Sequence, residues 1–123
     1  MMMAAGVADI GDCALNIFTS VVSRAGESRG ILDAGSKTFT SDTGGLDGFG
    51  LILEHPQARI HTMAEEHGFL DITDCDRRPA VGDILRVVPN HVCVAVNMFD
   101  QLVAVRGNSL VDVLPVAARG RLV

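Results

Sequence analysis

A chain of 123 residues, 48% of them hydrophobic, has room for one domain with a real core, and its length disfavours two. A net charge of −5 with no basic run argues against nucleic acid or an anionic membrane as partner, and no apolar stretch reaches the ~20 residues of a bilayer span. Cys13, Cys75 and Cys93 fit no disulfide framework and no secretory leader opens the chain, so a reducing, cytoplasmic setting is expected. The core must be aliphatic, because Trp and Tyr are absent and Phe occurs only five times. Thirteen glycines against four prolines predict tight turns between short strands.

In chain order, residues 1–9, with their triple Met start, read as a disordered or artificial leader, and the domain as 10–123. Ala14–Arg24 predicts a strand entered after Gly11-Asp12, with a helix as the alternative. Gly30–Ala34 is a short apolar run, and Ser36–Gly50, rich in Ser, Thr, Asp and Gly, reads as a long loop. Leu51–Leu53 and Ala58–Met63 predict strands around a hairpin-like turn at Pro56. A strand over Phe69–Ile72 and a polar loop over Thr73–Gly82 follow. The run Ile84–Phe99 reads as one long strand, turned at Asp100-Gln101 into a hairpin partner over Leu102–Val105, with a last strand over Leu110–Leu114. The whole predicts a mainly β fold, one barrel or sandwich of seven to nine strands with little helix.

Along an extended segment side chains alternate faces. Val92, Val94, Val96 and Met98 then share a core face, while His91, Cys93, Ala95 and Asn97 share the other. That spacing sets an imidazole and a thiol about 6 to 7 Å apart at Cα, within reach of one ion. Neutral imidazole and thiolate are ligands zinc prefers, and two protein ligands leave positions open for water or substrate. A lone His-x-Cys pair is otherwise a buried thiol beside a hydrogen-bonded histidine.

The segments Asp33-Ala34-Gly35-Ser36-Lys37 with Ser41-Asp42, Glu65-Glu66-His67-Gly68, Pro89-Asn90-His91-Val92-Cys93 and Arg119-Gly120 occur in a telling order. Over residues 10–121 the chain resembles the C-terminal β-domain of the D-serine dehydratase-like and D-threonine aldolase-like enzymes. The resemblance implies an alanine racemase C-terminal-like β-domain of a fold-type III pyridoxal-phosphate (PLP) lyase, with zinc held by His91 and Cys93. It implies that PLP sits on a lysine of an N-terminal (β/α)8 barrel absent here, so that the barrel domain, in the same or a partner chain, is the expected partner. Lys37, the single lysine, falls in the β-domain motif rather than at the Schiff-base position.

The implied chemistry is β-elimination from D-serine or a related D-3-hydroxy amino acid: a barrel lysine takes the α-proton while zinc acts as Lewis acid on the β-hydroxyl. Aldolase relatives favour a carboxylate where Cys93 stands, which tilts the reading toward dehydratase over retro-aldol cleavage. His67, Lys37 and Asp33 are the candidate catalytic positions. Their plainer readings are a turn residue, a solvated charge and a carboxylate satisfying turn amides. His55 and His61 read as core or surface histidines, and Cys13 and Cys75 as plain thiols. Alone, the chain is expected to be inactive. The alternatives are a non-catalytic zinc- or ligand-binding module, or an oligomerisation module whose exposed apolar face pairs with itself as a homodimer.

Overall fold

A computed structural model describes residues 2–121; Met1 of the expected leader and residues 122–123 lie outside it. Eight strands, two short α-helices and a 3-10 turn at Ile10–Asp12 are present among the described residues. β1 (Ile17–Ala25) shows the alternation that fixes a strand against a core: Ile17, Thr19 and Val21 are buried, while Phe18 and Val22 face outward. β2 (Arg29–Leu32), β5 (Gly68–Asp71) and β4 (Arg59–Met63) follow on one side of β1, and β6 (Ile84–Val88) and β3 (Leu51–Ile52) on the other, giving the order β3-β6-β1-β2-β5-β4, antiparallel throughout. The sheet curls until the chain just ahead of β3 meets β4, where the Phe49 amide donates to the Ile60 carbonyl at 3.0 Å. The mainly β, barrel-like expectation holds.

Inside the curl lie Leu32, Ile52, Ile60, Leu70, Ile72, Leu85 and Val87, all at most 1% exposed. At ~1.5–3 kcal/mol for each large aliphatic side chain removed from water, this aliphatic cluster is the main source of stability. No aromatic stacking is needed.

Several expectations are corrected. The turn at Pro56 does not join a hairpin: β3 pairs with β6 and β4 with β5, so the two lie at opposite ends of the sheet order. Ser36–Gly50 is not all loop, because Ser36–Phe39 forms one helical turn, α1, with Phe39 buried. The long strand over Ile84–Phe99 is in fact β6 followed by a helical turn, α2 (Val92–Val96). The face assignment made for it therefore fails: Ala95 is fully buried, whereas Val92 and Met98 are 46% and 37% exposed.

The Asp100-Gln101 turn does not fold its neighbours onto β6 either. β7 (Gln101–Arg106) pairs with β8 (Ser109–Pro115) across Gly107-Asn108, and the two form a separate sheet. Gly107 sits at φ +60°, the left-handed geometry that glycine adopts without strain. Every residue of β8 is exposed.

Candidate functional site

α2 begins where Pro89 ends β6, and His91 occupies its N-cap with extended backbone (φ −134°, ψ 105°). Because His91 is not yet helical, its ring is free to swing toward the loop ahead of β3. There its Nδ1 lies 2.6 Å from Asp42 Oδ2. Asp42 also accepts the Gly44 amide at 2.8 Å. The His91 contact, then the Gly44 amide, hold the Asp42 carboxyl below the usual carboxylate range. An ionised Asp42 favours the proton on Nδ1, which leaves the Nε2 lone pair free for a ligand.

Asn90 fixes the same loop. Its side-chain amide donates to the carbonyls of Thr43 and Gly48 at 3.0 and 2.8 Å, and its oxygen accepts the Gly50 amide at 3.0 Å. Cys93, the second residue of α2, is exposed and forms no disulfide. The extended register that was to bring His91 and Cys93 to one side is thus replaced by a cap-and-helix geometry. Among the described residues no group of three or more His, Cys, Asp or Glu side chains is placed to hold a metal. By donor type, an imidazole oriented by a carboxylate and a free thiol are both ligands that zinc takes.

Of the other candidates, Asp33 and Lys37 have structural partners. Asp33 Oδ1 accepts the Thr19 hydroxyl at 2.6 Å and the Ser20 amide at 2.8 Å. Burial pushes this carboxyl up, but those bonds outweigh it and hold the group below its ordinary value. Lys37 Nζ pairs with Glu66 at 2.6 Å and Glu65 at 3.0 Å, and these contacts raise its already high pKa. His67 is exposed in the turn before β5. That turn is stitched to the start of α1: the Ser36 amide donates to Ala64 O and the Lys37 amide to Glu65 O. A Cβ on Gly35 would lie 2.4 Å from Ala64 O, so only glycine fits. At the chain's far end Arg119 pairs with Asp100 and the Gly120 amide bonds Asn97 Oδ1 at 3.3 Å, tying the last turn to α2 and β7.

Sequence reasoning quoted Asp42 but gave it no role, and its contact with His91 crosses 49 positions of chain that no local pattern reveals. His55 is buried and His61 exposed, with neither near the His91 cluster in hydrogen bonding.

Residues 14–105 match the model of the family described as "Putative serine dehydratase domain". The chain belongs to this family. It is 42% identical over 115 residues to an uncharacterized protein of Mycobacterium tuberculosis, covering 89% of this chain and 86% of that one. It is 34% identical over 106 residues to a D-threonine aldolase of an Arthrobacter species, covering 86% of this chain but only 27% of the aldolase. The domain is therefore a fraction of the aldolase's length and nearly the whole of the mycobacterial protein's. Among solved structures, an alanine racemase-like protein from Idiomarina loihiensis superposes with a TM-score of 0.82 at 22% identity, over 93% of this chain and 34% of that one. D-threo-3-hydroxyaspartate dehydratase from Delftia sp. HT23 superposes at 0.79 and 24%, over 93% and 35%. These two likenesses establish the fold. The dehydratase has also been solved as a histidine-to-alanine variant and, metal-free, as a cysteine-to-alanine variant two positions further on.

Proposed function

We propose that this family member is the metal-bearing domain of a PLP-dependent lyase acting on D-serine or a related D-3-hydroxy amino acid, working with a barrel-bearing polypeptide. The observation that carries the reading is the Asp42–His91 contact at 2.6 Å, with the exposed thiol of Cys93 two residues further along the chain. The same two residue types, at the same separation, are the altered positions in the dehydratase variants, one of which is metal-free.

When bound, zinc would supply a Lewis acid for the substrate's β-hydroxyl. The chain's own residues do the rest. Asp42 fixes the imidazole ring and its tautomer, Asn90 holds the loop that carries Asp42, and Cys93 presents a sulfur whose thiolate form is the ligand. His67, Lys37 and Asp33 are assigned supporting places at the rim facing the barrel. In that role Lys37 exchanges its Glu65 and Glu66 partners for a substrate carboxylate. Elimination is preferred to aldol cleavage because of the thiol at 93, although the curated full-length relatives matched are aldolases.

Metal analysis of the purified chain tests this directly. Wild type should retain about one zinc after dialysis, Cys93→Ser and His91→Ala should lose it, and Asp42→Asn should weaken it ~10–100-fold. Cobalt substitution should give a thiolate charge-transfer band that Cys93→Ser abolishes. Equal zinc in wild type and Cys93→Ser would end the proposal.

A further inference from the structure

Beside the start of β6 lies a histidine that no protein group satisfies. His55 is 7% exposed, yet its imidazole makes no hydrogen bond to any described residue. Only its carbonyl is used, accepting the Ala58 amide at 2.9 Å to close the turn at Pro56. Among the described residues Asn16 Oδ1 is the one buried side-chain polar atom cut off from both partner and solvent, so the His55 nitrogens still reach open space. That space is a cleft of about 230 Å³ bounded by Glu54, His55, Arg77, Asp83, Ile84 and Leu85. An imidazole carried this far inside loses hydrogen bonds to water that no protein group replaces, and a ligand in the cleft can restore them.

Two opposite charges border the same cleft without pairing. Arg77 has no ion pair or hydrogen bond among the described residues, although its neighbour Arg78 has Glu27 at 3.7 Å. Asp83 Oδ2 accepts the Ala80 amide at 2.9 Å, while Oδ1 accepts nothing. Glu54 adds no free charge, because Arg86 takes both of its oxygens, by Nε at 2.6 Å and by its amide at 2.8 Å. One cation and one anion remain unmatched at the rim of the cleft.

The backbone that carries Asp83 is fixed on both sides. The Val21 amide donates to the Asp83 carbonyl at 2.9 Å, the Gly82 amide to the Val21 carbonyl at 2.8 Å, and the Asp83 amide to the Ala80 carbonyl at 3.1 Å. The cleft lies at the N-terminal end of β6, whereas His91 follows its C-terminal end, about five residues of ~3.3 Å away. A small molecule held here does not reach His91 or Cys93.

The chemistry of the rim narrows the occupant. Among the described residues no three His, Cys, Asp or Glu side chains converge here as a metal cage. A simple anion would meet Asp83, and a simple amine would meet Arg77. A zwitterion satisfies both, with its carboxylate on the planar fork of Arg77 and its ammonium on Asp83 Oδ1. The volume falls below the ~300–1,000 Å³ of pockets that hold drug-sized ligands and suits a molecule of a few heavy atoms. We propose that this cleft is a binding site for a small polar α-amino acid, held as its zwitterion between Arg77 and Asp83, with His55 bonding its side-chain polar group. The site stands on these residues alone and does not depend on the metal reading.

Titration of the full chain with L-serine, followed by NMR at the His55 ring and the Arg77 Nε–H, tests the site. Both signals should shift saturably at millimolar serine while the His91 ring stays unmoved. Arg77→Gln, and Asp83→Asn, which keeps an acceptor for the Ala80 amide, should each weaken binding about 10-fold or more at an unchanged thermal midpoint. Ethanolamine and 3-hydroxypropanoate, which each carry one of the two charges, should bind at least ~10-fold more weakly than serine. L-alanine, which offers His55 no hydroxyl, should also bind more weakly. No saturable shift with serine, equal affinity for alanine or for either half-ligand, unchanged affinity in Arg77→Gln or Asp83→Asn, or shifts centred on His91 would each overturn the proposal. Zinc content, read on the same samples, reports the metal reading separately.

Discussion

At the scale of single residues, the motif that resembles a catalytic loop is held together by close backbone approach. Gly35 lies so near the Glu65–His67 turn that an added methyl would overlap the Ala64 carbonyl and the His67 amide at 2.4 and 2.5 Å. Since the blocking atoms are backbone, Gly35→Ala should destabilise the chain by about 1–3 kcal/mol, read as a lowered thermal midpoint. Lys37 is a contrasting case. Its ion pairs with Glu65 and Glu66 are solvent-exposed and screened by water and salt, so Lys37→Met should melt within a few degrees of wild type. If Lys37→Met instead unfolds the chain, the lysine is a structural group and its proposed role toward substrate is lost.

Among the elements, α2 and the loop that Asn90 clasps decide where His91 and Cys93, the proposed metal ligands, stand. Asn90→Ala should free Gly50 and the Thr43 and Gly48 carbonyls at a cost of about 1–3 kcal/mol, and speed amide exchange at Gly50 before the sheet itself opens. Unchanged exchange there would show that the loop is held by other contacts. The strands themselves were legible: β1, β4, β5 and β8 fall where alternation and turn residues placed them. α2 was not, because Val92-Cys93-Val94-Ala95-Val96 is rich in β-branched residues whose local preference is extended. Burial of Ala95 and the stop at Pro89 override that preference. Strand partners were equally hidden, since β3 and β4 are neighbours in the chain yet sit at opposite ends of the sheet order. Of the site, the extended spacing read for His91 and Cys93 is replaced by a cap and a helical turn, and the Asp42 contact that orients His91 spans the chain too widely for any local pattern.

For the molecule as a whole, Asp33 links β1 to the end of β2 and sets a dependence on acid. Its carboxyl titrates lower folded than unfolded, so it contributes stability that is fully present above its unfolded value of about 3.9 and is lost as the pH falls through the lower folded value. Asp42, Glu54 and Asp71 are shifted the same way and add to the slope. Stability of wild type should therefore be flat from neutrality down to about pH 4 and fall below it. Asp33→Asn should start lower at neutral pH and fall less steeply, measured by denaturant midpoints across the acid range. A slope identical to wild type would remove Asp33 from the account. A further consequence follows from the register that sets Ile17 opposite Val87. During synthesis the first strand leaves the ribosome long before its neighbour on that side exists, so the closed sheet cannot form until translation has passed Val88, and until then Ile17, Thr19 and Val21 stay uncovered. Slow codons or a stalled ribosome upstream of that point would lengthen the exposure, and with it the opportunity for chaperones or aggregation to capture the nascent chain.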